Sequence, residues 1–537
     1  MLAHIKDYLL KTRWMILFLA LVTFLTHGST LFSQRFGIDT DIIMQGMHHF
    51  NQTGRQGLVW LAGLLGFEWF NLYYVQALNL LFLTAAPVAF GYLFYRVGAQ
   101  STCLNVSLLV LGLSFIVSPF WAAQIYFLNQ SAQVLLACTL TAVSILLAEE
   151  ARREPGRKWY CLLLAIALMQ ITFACYQVLV MVYIAAVAAV FLMSSLKEER
   201  SFQDQLRWIG FHAGAFLVGF LLYMLTYRLF FAQLGGYLEG QITWADSGLW
   251  QGIKYCYYAI RDSLMVNAPY FTGFYGIFAL LLLAVTVHKM KADGAQKKLS
   301  SLVILLAELF LIGSPYVFVL LQGGQIMDRM QLVMPLSLGS ILYLTVLLLY
   351  RETAPRTRLL QMLAKVGTLA LILAIGKNTL SNLDYCTRLY YTADWAFKYD
   401  TQIAEKIYLD IQAAQSVHEK NAAYDNIIFV GNPEIPYNDI CIRGEMLGLS
   451  VFQFEKSLNN PGANRLLYFM ENLGYPLDIY FSEGETAAYH AYFVEAFGQK
   501  IDEMPSYPAA GYAQYVADEE LGLEYLIVKL GEEWRFE

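Results

Sequence analysis

Charge is what this chain has least of. Of its 537 residues only 15% are Asp, Glu, Lys or Arg, against 58% hydrophobic, where a soluble globular protein carries roughly 25% charged residues. The shortfall is local, because long uncharged runs alternate with short charged clusters. Cysteine is sparse as well. The seven are Cys103, Cys138, Cys161, Cys175, Cys256, Cys386 and Cys441, and most lie in apolar runs, where a thiol behaves as a small hydrophobe. No CxxC and no zinc-type spacing occurs, which excludes a dithiol redox motif and a structural zinc site. Only Cys386 and Cys441 fall in polar sequence, where a disulfide between them is open. Also missing are a Walker loop, a nucleophile elbow, an HExxH pair and a Rossmann glycine pattern. No internal repeat and no low-complexity segment is found.

What is present is apolar sequence in pieces of membrane-crossing length. Runs near 14–32, 70–95, 104–121, 131–149, 159–174, 176–196, 209–231, 270–288, 301–321, 332–350 and 362–382 predict about eleven transmembrane helices. A helix of about 20 apolar residues spans the hydrocarbon core while satisfying its own backbone hydrogen bonds. The fifth and sixth runs share one long stretch with Gln170 and Gln177 near its middle. The N-terminal segment is basic and then apolar like a signal peptide, but it lacks a small-x-small cleavage site and reads as an uncleaved first helix.

Lys and Arg in the connecting loops set the orientation. One alternating set holds Lys6, Lys11, Arg13, Arg96, Arg152, Arg153, Arg157, Lys158, Lys197, Arg200, Arg207, Lys289, Lys291, Lys297, Lys298, Arg351, Arg356, Arg358 and Lys365. The other holds Arg35, Arg55, Arg228, Lys254, Arg261 and Arg329, a ratio of 19 to 6. The first set is therefore expected to be cytoplasmic, with the N-terminus inside and everything after about residue 383 outside. Two expected outer loops are long, near 33–69 and 232–269, and "LVWLAGLLGFEWF" and "GLWQGIKYCYYAIRDSLMV" within them suit helices lying at the interface.

After Asn382 the composition turns polar and acidic. "TQIAEKIYLDIQAAQSVHEK" reads as an amphipathic helix, "NIIFVG" and "EYLIVKL" as strands, and "ANRLLYFMENLG" as a helix ending at Gly474. The expected architecture is an α-helical polytopic membrane protein over residues 1–382 with a small extracytoplasmic α/β domain over 383–537.

The residues able to carry chemistry sit in the expected outer loops. Asp39 and Asp41, in "RFGIDTDIIMQGMHHF", stand at the first membrane–water boundary, where a carboxylate serves as general base toward a hydroxyl. The plain alternative is a solvated loop with two capping carboxylates. Arg329 and Arg261 are candidates for a phosphate, which a guanidinium grips through a two-pronged fork. Against that, each has an aspartate neighbour, Asp328 or Asp262. Gln124 and Tyr126, near Trp121 and Asn129, furnish a polar and aromatic outer loop that suits a sugar or, more plainly, an interfacial aromatic belt. Glu68 is a second acid or an interfacial residue. His48 and His49 with the aspartates make a poor metal set, so no metal and no cofactor is expected.

In order along the chain, "THGSTLFSQRFGIDTDI", "SPFWAAQIYFLNQSAQVLLACTL", "ITFACYQVLVMVY", "DRMQLVMPLSLG" and "IIFVGNPEI…RGEMLGLSVFQFE…RLLYFMENLGYP" resemble the GtrII-like membrane glucosyltransferases, a branch of the GT-C superfamily of glycosyltransferases. The resemblance implies a GT-C-like enzyme of the bacterial plasma membrane. It would move a sugar, glucose by the family's name, from a polyprenyl phosphate donor to a cell-envelope glycan on the non-cytoplasmic face. In that pattern Asp39 or Asp41 deprotonates the acceptor hydroxyl, the anomeric carbon inverts, and an outer-loop arginine stabilises the leaving lipid phosphate. Partners are then the lipid-linked sugar, the glycan acceptor and the bilayer, with no nucleic acid. Family members commonly show a tighter acidic pair, whereas Thr40 intervenes here. A lipid-linked glycan flippase would place ionisable residues at mid-depth, where Glu308 is the main one. A polysaccharide polymerase would shift the weight from Asp39 to the loop of Arg261.

Overall fold

The computed structural model describes residues 2–33, 35, 40, 54–67, 71–98, 103–154, 156, 158–197, 200–230, 244, 248–264, 274–292, 295–324, 326–352, 358–417, 426–454, 463–477, 486–518 and 523–534. It divides into two compact units, Met1–Phe32 with His49–Thr387, and Ser33–His48 with Arg388–Glu537.

The first unit is helical. Its elements are α1 (Leu2–His27, continued by a 3-10 turn Gly28–Phe32), α2 (Gln56–Leu65), α3 (Leu72–Val97), α4 (Leu104–Ile116), α5 (Pro119–Tyr126), α6 (Ser131–Arg153), α7 (Trp159–Cys175), α8 (Val178–Lys197), α9 (Phe202–Phe230), α10 (Leu249–Leu264), α11 (Phe274–Ala292), α12 (Ala295–Gly313), α13 (Val317–Gln322) and α14 (Val333–Glu352). α15 (Arg358–Val417) follows, and the boundary between the units falls within it. Local signals explain several ends. The Asn71 side chain accepts from the Tyr74 backbone N–H at 3.0 Å and caps α3. Ser201 does the same for Asp204 at the start of α9. α2 stops at Gly66, whose φ of 73° is the left-handed C-cap conformation glycine adopts without strain.

Among the described residues seven helices are long and apolar enough to cross a membrane, or eight if the bent pair α4–α5 counts as one. Three shorter apolar helices, Trp159–Cys175, Tyr275–Val287 and Val333–Leu348, lie in the other expected runs. The expected count of about eleven crossings is thus met in part, by seven or eight helices among the described residues. One expected span is broken. The run at 104–121 turns by 50° between α4 and α5, because proline at the first position of α5 restricts Ser118 to an extended conformation, φ −64° and ψ 125°. The two expected interfacial segments are helices, α2 and α10. Cys386 and Cys441 are both free thiols, so no disulfide joins them.

At one end of α6 two successive carboxylates are buried. Glu149 accepts from His212 on α9 at 2.8 Å and from Arg152 at 3.0 and 3.2 Å, with Arg153 at 3.6 Å. Glu150 pairs with Arg96 on α3 at 2.9 Å and with Lys158 at 2.6 Å. This cluster ties three helices together by charge-assisted bonds. Glu308, also buried, accepts from the Thr286 hydroxyl at 2.6 Å across α11 and α12.

The second unit holds a three-stranded sheet of β1 (Asn426–Val430), β2 (Ala513–Asp518) and β3 (Leu523–Lys529), in the order β1-β3-β2. β1 pairs parallel and β2 antiparallel with β3. Side chains alternate between faces along a strand. Ile427, Leu526 and Val528 bury against Ile403, Ile407 and Ile411 of α15, joined by Phe452 of α16 (Val451–Phe454) and Phe469 of α17 (Ala463–Asn472). On the other face Ile428, Val430, Tyr525 and Ile527 pack on Phe497 and Ile501 of α18 (Thr486–Glu503) and on Trp534. The sheet is therefore covered on both sides.

Beyond the apolar part of α15, Asp400 is fully buried, accepting from the Ser450 hydroxyl and from the Val451 backbone N–H at 2.8 Å at the start of α16. Burial pushes its carboxyl up to about 7, against the opposing effect of those two hydrogen bonds. The unfolded chain titrates at about 3.9, so the folded unit holds this proton more tightly. That stabilisation is complete below about pH 4 and is lost as pH rises through 7. Amides of β1 and β3 are expected to exchange with deuterium faster at pH 8 than at pH 5 after correction for intrinsic rate. Asp400→Asn is expected to remove that difference.

Candidate functional site

Asp39, Asp41, Glu68, His48 and His49 lie outside the described residues. Residues flanking the two aspartates in the chain are described, within the second unit. Thr40, between the two aspartates, is buried, and its hydroxyl has no hydrogen-bond partner among the described residues. Just upstream, Ser33 donates to the Asp394 carboxylate. The buried Arg35 donates to the Tyr390 carbonyl at 2.8 Å, lies 4.6 Å from the centre of that ring and stands 3.4 Å from Asp394. The start of the first long loop is therefore fastened to α15 by a charge pair and a ring contact, on the sequence side of both aspartates.

In the first unit the other candidates gather about the turn 127–130, where Gln130 N–H donates to the Phe127 carbonyl at 3.1 Å. Gln124 lies on α5 three residues before this turn, its backbone carbonyl accepting from the Phe127 N–H at 3.2 Å. Its side chain is fully buried, and neither its amide nitrogen nor its oxygen has a partner among the described residues. Trp121, one helical turn earlier, packs its ring 4.9 Å from that of Phe115 and buries an indole N–H with no acceptor among the described residues. Tyr126 is buried on the same short helix. Gln56, Asn129, Ser131 and Gln133 each bury at least one polar atom without a partner among the described residues as well. Native interiors pair nearly all such groups, so this density of unmet neutral donors and acceptors marks a place that takes a polar ligand or ordered water.

Arg329 stands at the rim of the same turn, its guanidinium 4.4 Å from the Phe127 ring centre. A second arginine joins it that the loop composition alone did not single out. Arg55 donates to Gln130 Oε1 at 3.1 Å and lies 5.1 Å over the ring of Tyr176, whose hydroxyl reaches toward the Arg329 carbonyl at 3.5 Å. α2 brings Arg55 here because Gly57 lets it press against the end of α7. A Cβ at Gly57 would stand 2.5 Å from Cys175 N and from Ile171 O. Arg261, by contrast, is satisfied on α10 itself. It pairs with Asp262 at 2.6 Å, stacks 4.8 Å from Tyr258 and is not part of the Arg55–Tyr176–Arg329 group. The sequence held one weak hint of Arg55, its place among only six cations in that loop set.

Neutral amides and aromatic faces are groups that suit hydroxyls, and guanidiniums suit anionic oxygens. No curated protein and no solved structure matches the chain. The family model described as glucosyl transferase GtrII matches residues 28–350, from the turn after α1 to the last residues of α14. That stretch contains every residue of the turn cluster and covers more than half of the chain. The chain belongs to the GtrII glucosyl transferase family.

Proposed function

We propose that this protein is an inverting glucosyltransferase. It takes glucose from a polyprenyl phosphate in the outer leaflet and places it on a cell-envelope glycan outside the plasma membrane. The observation that carries this reading is the group of buried, unpartnered neutral amides around Gln124, beside Arg329 and within the family's matched stretch. Neutral donors and acceptors suit sugar hydroxyls, and a guanidinium suits the phosphate that leaves. The excess of Lys and Arg in alternate loops supports an N-terminus in the cytoplasm and the tail outside. Asp39 or Asp41 would act as general base, so that the acceptor hydroxyl attacks the anomeric carbon. Such a base contributes about 10²–10⁴-fold.

The test is transfer from radiolabelled polyprenyl-phosphate-glucose to membranes of a strain lacking this gene, using the purified full chain. Wild type is expected to transfer. Either Asp39→Asn or Asp41→Asn, still eluting as a single detergent-stable species, is expected to lose activity by about 10²-fold or more. Full activity in both variants would remove the aspartates from the chemistry. Failure with glucose and with every other hexose donor would end the transferase reading and put a lipid-linked glycan carrier first.

A further inference from the structure

The second unit carries a loop strapped along α15. Trp395 donates its indole N–H to the Pro436 carbonyl at 3.1 Å, and the Asn438 amide donates to the Tyr391 hydroxyl at 3.0 Å. Arg388 then donates to the carbonyls of Ile440 and Asp439 at 2.8 and 3.2 Å. Beyond that point the Ile442 N–H returns to the Thr392 hydroxyl at 2.8 Å. Along α15 the contacts thus fall from 395 to 391 to 388 and climb back to 392. The segment descends the helix toward its N-terminal, apolar part, turns at Asp439 and Ile440, and ascends again. Its tip is fixed, because the Asn438 side-chain oxygen accepts from the N–H groups of Ile440 and Cys441 at 3.0 and 3.2 Å, the closure an asparagine gives a turn.

That tip is apolar where a solvated turn is polar. Ile440 is 56% exposed, and the large apolar side chains exposed beyond Arg388 among the described residues are Tyr391, Leu409 and Ile440. Two of the three belong to this one strap. The Tyr391 ring stacks 6.3 Å from that of Trp395, and the Arg443 guanidinium lies 5.2 Å from the Tyr437 ring centre. A single exposed isoleucine is ordinary on a soluble surface, but a fixed apolar tip among Tyr, Trp and Arg has the composition of the headgroup layer. Its place in the chain agrees. The apolar run in α15 ends near 382, and Arg388 follows six residues later, about 9 Å of helix, against a headgroup layer about 5–8 Å thick. We propose that the loop 436–442 is a membrane-interface anchor. Ile440 enters the boundary between headgroups and acyl chains of the leaflet in which the apolar part of α15 ends, with Tyr391 and Trp395 at headgroup level. A glycan fits this tip less well, since an aliphatic side chain offers sugar hydroxyls no hydrogen bond. Nor is the attraction electrostatic, because Arg388 and Arg443 are balanced by Glu434 and Asp439.

The experiment uses the full chain in phosphatidylcholine nanodiscs, with the environment-sensitive fluorophore NBD on Ile440→Cys. Cys441→Ser serves as background, the other six thiols being buried. Leu409→Cys is the control, 58% exposed on the same helix and about 30 Å further along it than Arg388. The probe at 440 is expected to emit at shorter wavelength than at 409, to be quenched by lipids bearing a nitroxide at the headgroup, and to lose most of its quenching by aqueous iodide. Replacing part of the phosphatidylcholine by phosphatidylglycerol is expected to change none of this. Arg388→Ala, which releases the tip, is expected to move the 440 signal toward that at 409, and an unmoved signal would remove Arg388 from the strap. If labelled Ile440→Cys does not elute as a single detergent-stable species, Asp439→Cys carries the probe. Emission and iodide quenching equal to those at 409 overturn the inference. So does a shift that needs added cell-envelope glycan, which would make the loop a glycan contact, or one that needs phosphatidylglycerol, which would make it an electrostatic one.

Discussion

Gly57→Val is expected to reduce transfer by at least about a hundredfold while leaving the helical unit folded, because displacements near 1 Å at a reacting centre cost about that much. The reason is where the new atoms would go. A Cβ at Gly57 falls 2.5 Å from Cys175 N and Ile171 O and 2.6 Å from the Ala174 carbonyl carbon. All three are backbone atoms of α7, with no flexible side chain to swing aside. α2 must lift, carrying Arg55 off Tyr176 and Gln56 out of its buried position. Gly63→Ala, six residues further along α2, is the control. Nothing stands within 4 Å of its added atom, and alanine gains roughly 0.5–1 kcal/mol over glycine inside a helix. Transfer assays on both variants, with thermal melts in detergent, separate a site effect from a folding effect. Equal activity of Gly57→Val and wild type would show that α2 does not position the site.

The second large effect concerns stability. Glu149→Leu is expected to destabilise the helical unit by about 3–5 kcal/mol, the cost of leaving a buried charge network without its partner. The Glu149 side chain is 2% exposed and faces His212, equally buried, together with Arg152 and Arg153. Arg153→Ala should change little, less than about 1 kcal/mol, since that side chain is 29% exposed and stands at 3.6 Å. Melting of purified protein in one detergent at fixed pH reads both. A shift for Glu149→Leu no larger than that for Arg153→Ala would mean the cluster contributes no net stability.

Much of the architecture was legible because period and composition report directly on burial. The apolar runs, the two amphipathic loop helices and strands β1 and β3 all fall where hydrophobic pattern puts them. Length was less legible. The 60-residue α15 runs through what reads as a span, a polar stretch and an amphipathic helix, without a break. Nothing in that stretch, neither proline nor a glycine near Asn382, stops it. The α4–α5 bend was readable from Ser118-Pro119 but was hidden by the hydrophobicity on both sides. β2 and α18 carry weaker patterns, from which no element is predicted.

The site divides in the same way. Gln124 and Arg329 stood out as polar groups in apolar surroundings, and the structure brings both to one turn. Arg55 looked like one more loop cation. Its importance comes from Gln130 and Tyr176, which lie far along the chain, and from the absence of a nearby acid among the described residues. No local pattern encodes that. For Arg261 the adjacent Asp262 already supplied the plain reading.

The strand order β1-β3-β2 bears on biogenesis. β1 and β2 share no edge, and each is held only by β3, the last of the three to be synthesised. Among the described strands no pair forms before β3 is made. A chain interrupted between Asp518 and Leu523 keeps two strands that do not pair, so this sheet assembles only once β3 has been made. Truncations in this region should therefore act in an all-or-none manner on the second unit, and quality-control proteases would meet either a finished sheet or none.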